Sequence, residues 1–409
     1  LGALAVQQAS LWFEKYESPT YNGVKSMKRI YLDHAASTPM HPQVAEAMMK
    51  VMTGQYGNAS SIHAFGREAK RTVSGARDVI AASLGCFPDE LVFTGGGTES
   101  DNLAIFGAVS ARNERGRHII TTAIEHHAVL HTCQELERQG YDVTYLPVDE
   151  YGRIRLEELK DAIRPDTVLI TMMYANNEVG TIQPIREIGE LARQHDILFH
   201  TDAVQALGTQ EISCKELPVD MISFSAHKIN GPQGVGALYV RRGIVLEARS
   251  HGGLQERQRR AGTENIAGIT GFAEALKISG EQAEARLEHD LALRSLLLEQ
   301  LEQHVGLEHF HVNGHPEFTL PNILNISFPE VSTETMLMNL DMEGIAVASG
   351  SACTSGSLEV SHVLKAMKLP ETFLQSAIRF SWGLGNTTEE IMITAEKIGT
   401  ILGRLRNRA

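Results

Sequence analysis

The sequence predicts an α/β fold: a large domain on a mostly parallel sheet of the seven-stranded type, covered by helices, plus a smaller α+β domain. Three observations carry this. Between about residues 91 and 240, short apolar runs alternate with turns and helical stretches. Several of those runs are continuously apolar, the pattern of strands buried on both faces of a sheet. After about residue 265 the chain changes to an Ala/Leu/Glu-rich helical tract followed by isolated strands. Alternating strands and helices imply a doubly wound sheet, whose ligands bind beyond the carboxyl ends of the strands.

Strands are expected over 91–93, 118–122, 167–172, 197–200, 221–224 and 236–240, with a helix over 185–195. Residues 266–305 read as helix, 322–328 and 378–381 as strands, and 388–405 as a closing helix. The large domain is expected over 41–285, and the small one over 27–40 together with 286–409. Residues 1–26 mix apolar and aromatic residues with Gln, Ser and Pro, and read as an appended or disordered leader. They lack the basic segment of a secretory signal.

Composition narrows the function. The 409 residues are 43% hydrophobic and 21% charged, ordinary for a globular chain long enough for two domains. A net charge of −13 argues against direct binding to nucleic acid or to an anionic membrane. No apolar run approaches the roughly 18 residues of a membrane helix. The four cysteines, Cys86, Cys133, Cys214 and Cys353, are scattered and form no C-x-x-C pair. That is neither a disulfide framework nor a zinc-ligand spacing, so no metal is expected, and a reducing cytoplasm suits it.

Lys228 stands just after the strand at 221–224, in Ser223-Phe224-Ser225-Ala226-His227-Lys228. A partly desolvated lysine at a strand end can shed its proton and form a Schiff base with an aldehyde. Most lysines are simply solvated, but the neighbours change the reading. Asp202 closes the strand before it, and Gln205 follows three residues on. A buried carboxylate awaits a cation. Lysine, carboxylate, hydroxyl and imidazole together are what pyridoxal 5'-phosphate (PLP) asks of a protein.

Four further segments carry chemistry. Thr94-Gly95-Gly96-Gly97-Thr98-Glu99 follows a strand and opens a helix, where glycines and helix N–H groups can hold an anion. Thr98 is expected as its N-cap. It lacks the lysine of a P-loop. Glu125-His126-His127 and Asn176-Asn177-Glu178 each lie beyond a strand end. Their imidazoles suit stacking and proton transfer, and their amides suit a ring oxygen or a carboxylate. Cys353 lies in Gly350-Ser351-Ala352-Cys353-Thr354-Ser355-Gly356-Ser357, with no apolar neighbours to bury it. An exposed reactive thiol on a mobile loop is the better reading. Arg379 interrupts an apolar strand and needs an anionic partner: a substrate carboxylate, or equally a structural Asp or Glu.

These segments resemble the cysteine desulfurases, PLP enzymes of the aspartate-aminotransferase fold, from Tyr31 to the closing helix. The resemblance includes Tyr31-Leu32-Asp33-His34-Ala35-Ala36, Gly57-Asn58-Ala59-Ser60-Ser61-Ile62-His63, Arg260-Ala261-Gly262-Thr263 and the segments above. The form of the Cys353 segment is similar to the NifS/IscS-like branch. The resemblance implies that Lys228 binds PLP, that Asp202 pairs with the ring nitrogen, and that Gln205 and Asn177 bond the ring hydroxyl. It implies that His126, rather than His127, stacks on the ring and moves protons. Gly97, Thr98, Ser225 and His227 would hold the phosphate, and Thr263 would reach the phosphate of the partner subunit in a homodimer. Arg379, with Asn177, would bind substrate. L-cysteine would yield L-alanine and a Cys353 persulfide, passed to an iron–sulfur scaffold or a tRNA-thiolating enzyme. Aminotransfer, selenocysteine lysis, and a scaffold protein without catalysis are the rival readings. Gly95-Gly96-Gly97 is richer in glycine than the family pattern, and Ala261 stands where Ser is commoner.

Overall fold

The computed structural model describes residues 29–350 and 360–406. After β1 (Ile30–Tyr31), α1 (Pro42–Gly54) and α2 (Ala64–Leu84), the chain builds one sheet from seven strands. These are β2 (Leu91–Thr94), β3 (His118–Thr122), β4 (Asp142–Leu146), β5 (Thr167–Thr171), β6 (Leu198–Asp202), β7 (Met221–Ser225) and β8 (Gly236–Val240). The order is β2-β8-β7-β6-β5-β3-β4. The pairings from β4 through β3, β5 and β6 to β7 are parallel. Only β8 runs against its neighbours β7 and β2.

Every residue of β2, β3, β5, β6, β7 and β8 is buried, which is why these strands read as mostly apolar runs without a polar face. The edge strand β4 was not expected. It is mostly half-buried and starts on an exposed Asp142, so its sequence carries a weaker signal. The two faces of the sheet are sealed by different helices. Ile120, Ile170, Phe199, Ile222 and Phe224 pack with residues of α2, with α6 (Ile185–Gln194) and with α7 (Ile266–Glu281), which follow α3 (Gly97–Ala111), α4 (His127–Arg138) and α5 (Leu156–Ala162). Ile119, Leu169, Leu198 and Met221, one residue out of phase, pack with α3 and α4. The alternation of faces along a strand produces this split.

The helical tract after residue 265 is two helices, α7 and α8 (Ala283–His304), separated at Gln282. β9 (His311–Asn313), β10 (Ile323–Ser327) and β12 (Ala377–Ser381) form an antiparallel sheet in the order β12-β10-β9. β11 (Ile345–Ala346), reached through α9 (Thr333–Met342), pairs in parallel with β1. Two short helices, α10 (His362–Ala366) and α11 (Glu371–Leu374), precede β12, and α12 (Thr388–Arg406) closes the described chain. Leu293, Leu297 and Leu301 of α8, Phe380, Trp382 and Ile398 share a core of their own with Ile30 and Leu32. Among the described residues no helix is long and apolar enough to cross a membrane.

One close approach sets the site. At Gly236 an added Cβ would lie 2.4 Å from the Phe224 carbonyl oxygen and 2.8 Å from the Gly96 Cα. Both are backbone atoms in a packed sheet, so neither can move aside cheaply. Gly236→Ala is expected to cost about 1–3 kcal/mol of stability and to push the glycine loop off the sheet. A lowered midpoint in thermal unfolding, with weakened PLP binding, checks this.

Candidate active site

The sheet delivers its polar residues to one end. β6 ends on Asp202, β7 ends on Ser225, and the turn after β7 carries His227 and Lys228. The first turn of α3 adds Gly97 and Thr98, and His126 caps α4. All of these line one open cavity of about 400 Å³, together with Asn177, Gln205 and Arg379. Of the residues singled out in the sequence, Thr263 is exposed and does not line this cavity. Cys353 lies outside the described residues, while Gly350, which precedes that segment, lines the cavity.

Lys228 donates from Nζ to the carbonyls of Ala35 and Ala36, at 2.8 Å for the latter. Burial, then the Arg379 charge, lowers its pKa to about 8, against the pull of Asp202 and Asp33. Asp202 is buried and accepts the Val204 N–H at 2.9 Å. Burial raises its pKa to about 6, and no ion pair closes on it among the described residues. Gln205 donates Nε2 to the Ala35 carbonyl at 2.9 Å and lines the cavity wall. His126 accepts the Ala128 N–H on Nδ1 at 3.1 Å, so a neutral ring carries its proton on Nε2. Burial and the Lys228 charge lower its pKa to about 4, so the ring is neutral.

The α3 terminus differs from the expected one. Its cap position is Gly96, with φ of 146° and no side-chain capping bond. Thr98 instead falls in the first turn, so its hydroxyl does not cap the helix. At Gly97 a Cβ would approach Val204 Cγ2 to 2.7 Å, and Ser225 Oγ lies 3.7 Å from the Cβ position at Gly96. An uncapped helix start beside a serine hydroxyl and the His227 imidazole is a phosphate-binding donor set.

Arg379 donates Nη2 to Asp33 Oδ1 at 2.7 Å and Nη1 to the Asn177 carbonyl at 2.9 Å, while its buried Nε has no partner among the described residues. The structural ion pair therefore exists, and it sits at the cavity wall. Asn176 does not serve the cavity: its Oδ1 accepts the N–H groups of Glu178 and Val179 and shapes the turn that presents Asn177. Sequence reasoning missed Asp33 and Glu178. Glu178 is buried, its pKa is raised to about 7 by burial, and it accepts the Ser361 hydroxyl at 2.5 Å. A Cβ at Gly350 would lie 2.6 Å from the same oxygen, Oε2. One carboxyl thus meets both flanks of the segment that carries Cys353. Asp33 was visible in the 31–36 string without a partner to give it a role. Glu178 was likewise visible in the 176–178 string without a role, since only the fold brings it to residues 350 and 361. Cys133 and Cys214 are buried and Cys86 is half-buried, as inert structural thiols should be.

These residues fit PLP. A lysine with a lowered pKa, a buried carboxylate without a cation and an uncapped helix start stand in one cavity, and each matches one part of that molecule. The comparisons agree. The chain matches the model of the aminotransferase class-V family over residues 30–393. It is 52% identical to the putative cysteine desulfurase IscS 1 of Bacillus subtilis over 380 residues, covering 93% of this chain and all of that one. It is 47% identical to the cysteine desulfurase IscS of Methanosarcina thermophila, covering 93% of each. Among solved structures, a NifS-like protein superposes with a TM-score of 0.87 at 39% identity, over 92% of this chain and all of that one. The chain belongs to the aminotransferase class-V family and, within it, to the cysteine desulfurases.

The lowered lysine makes a kinetic prediction. Only the free amine attacks an aldehyde, so PLP capture by the apoprotein should speed up as pH rises through about 8. Arg379→Gln removes a repelling charge and should move that midpoint upward. Stopped-flow absorbance of PLP capture across pH 6.5–10 reads both; the range spans about two units on either side of the shifted value.

Proposed function

We propose that this protein is a PLP-dependent cysteine desulfurase that takes sulfur from L-cysteine, releases L-alanine and leaves a persulfide on Cys353. The observation that carries the reading is the meeting of Lys228, Asp202 and Arg379 in one cavity whose wall includes Gly350, three residues before Cys353.

When bound, PLP supplies an electron sink for the charge left when the substrate loses its α-proton. The chain supplies the rest. Gly97, Thr98, Ser225 and His227 hold the phosphate, Asp202 the ring nitrogen, and Gln205 with Asn177 the ring hydroxyl. Arg379, oriented by Asp33 and the Asn177 carbonyl, grips the substrate carboxylate. Lys228 has a pKa near the working pH, which suits an amine that must both take and return a proton. His126, neutral with its proton on Nε2, lies over the site as a second proton-transfer group. The Cys353 thiolate attacks the substrate sulfur; the C–S bond breaks, carbon keeps the electron pair and is protonated to alanine, and the sulfur stays on Cys353. The sulfur then passes from Cys353 to an acceptor.

The domain division we favour is 41–285 for PLP binding, with 27–40 and 286–409 carrying the thiol. Further parts of the reading are a homodimer in which Thr263 reaches the partner's phosphate, a cytoplasmic location, and delivery to an iron–sulfur scaffold or a tRNA-thiolating enzyme.

Alanine and sulfide release from L-cysteine with a reductant tests the function. The parent should turn over, and Cys353→Ala should keep the PLP absorbance yet form no persulfide. Alanine release that survives in Cys353→Ala would favour selenocysteine lysis or aminotransfer. Arg379→Gln should raise KM for L-cysteine by roughly 10- to 100-fold, the loss of a charge-assisted pair, with a smaller change in kcat. Steady-state kinetics reads that split.

A further inference from the structure

Asp101 has no part in the reading above, yet it lies under the same cavity. It stands on α3, is 1% exposed, and lines the cavity wall. One of its carboxyl oxygens, one of Asp202 and a ring nitrogen of His126 all lie within 4.8 Å of one another. Its Oδ1 has no hydrogen-bond partner among the described residues and sits 3.6 Å from His200 Nε2. The nearby Ser223 hydroxyl pulls its pKa down, against the larger upward push of burial.

Behind it runs a buried chain. His200 Nε2 and Ser223 Oγ are 2.9 Å apart, and His200 Nδ1 and Thr171 Oγ1 are 2.8 Å apart. His200, Ser223 and Thr171 are wholly buried. Every link joins two groups that can each donate or accept. Ser223 can donate to His200 Nε2 or accept from it, so the buried groups behind Asp101 tolerate a carboxylic acid there as readily as a carboxylate.

We propose that Asp101 is a positioning residue that keeps its proton while Asp202 ionises, so the cavity floor presents one negative charge rather than two to the ring nitrogen. This rests on Asp202 being the ring-nitrogen partner. Two buried carboxyls at this separation cannot both ionise without large cost. Asp202 takes the charge, because it holds the Val204 N–H and feels Lys228. Among the described residues, Asp101 Oδ1 receives no donor. The other titratable groups that face it do not offer a cation. Glu125 is a buried acid with its pKa raised to about 8, and His126 and His200 are neutral rings with pKa values lowered to about 4 and about 3. A second negative charge here would also raise the Lys228 pKa and protonate the amine the site needs free.

The test is infrared difference spectroscopy at neutral pH on the PLP-loaded parent and Asp101→Asn. The expected difference is loss of a carboxylic-acid C=O band that shifts in heavy water. Loss of a carboxylate band instead, or no acid band lost, overturns the proposal. Should Asp101→Asn fail to fold, the carboxyl ¹³C shifts of aspartate-labelled parent protein give the same answer without substitution. PLP affinity of the apoprotein separates the two layers. Asp101→Asn, which stays neutral, should bind within about threefold of the parent, whereas Asp202→Asn should lose roughly 10- to 100-fold. If Asp202→Asn binds PLP as tightly as the parent, the ring-nitrogen reading itself falls, whatever Asp101 carries.

Discussion

The register of β6 against β7 is the constraint on which the site depends. Asp202 pairs with Ser223, and two residues further on β7 ends and turns to present Lys228. A slip of one residue would send Asp202 to the opposite face of the sheet and leave Lys228 facing helix instead of cavity. The register is held by burial on both faces, since Phe199 and Ile222 belong to one core and Leu198 and Met221 to the other. Packing that looks purely structural therefore sets the distance between a nucleophile and its charge partner.

The same burial sets the chemistry. Lys228 has a lowered pKa for the reason that Asp202 has a raised one: both are held where the charged form is poorly solvated. The site resolves these costs with backbone. Carbonyls of Ala35 and Ala36 receive the lysine, and the Val204 N–H serves the aspartate. The first of these comes from the loop after β1, a strand that packs with the distant C-terminal elements. The cavity is thus closed by parts of the chain far apart in sequence.

What the sequence made legible follows from this. The buried strands were readable because mostly apolar runs without a polar face have one common explanation, and β4 was not, because a half-buried edge strand looks like a loop. His126 was chosen over His127 by the family resemblance, whereas Lys228 and Asp202 were readable because each stands at or just past a strand end, where an α/β sheet holds its ligands. Asp33 and Glu178 were not, since their roles depend on Arg379, Gly350 and Ser361, which only the fold brings near. Thr98 was placed one turn element too early. A threonine after glycines resembles a cap, yet here the backbone of Gly96 starts the helix. Asp101 lay in plain view within the helix sequence, but nothing in a helical pattern says that one polar residue is wholly buried.

The β1–β11 pairing has a consequence for how the protein is made. Ile30 and Leu32 belong to a core completed by residues of α8, β12 and α12. On a ribosome these apolar residues emerge first, and their partners emerge last. At roughly 5–20 residues per second the gap is on the order of tens of seconds. Through that interval the seven-stranded sheet has all its strands, while the loop of Ala35 and Ala36 that receives Lys228 has no anchor. The lysine therefore waits for Arg379, whose charge helps lower its pKa, and for the anchored loop that receives it, so capture of the cofactor is expected as a late event.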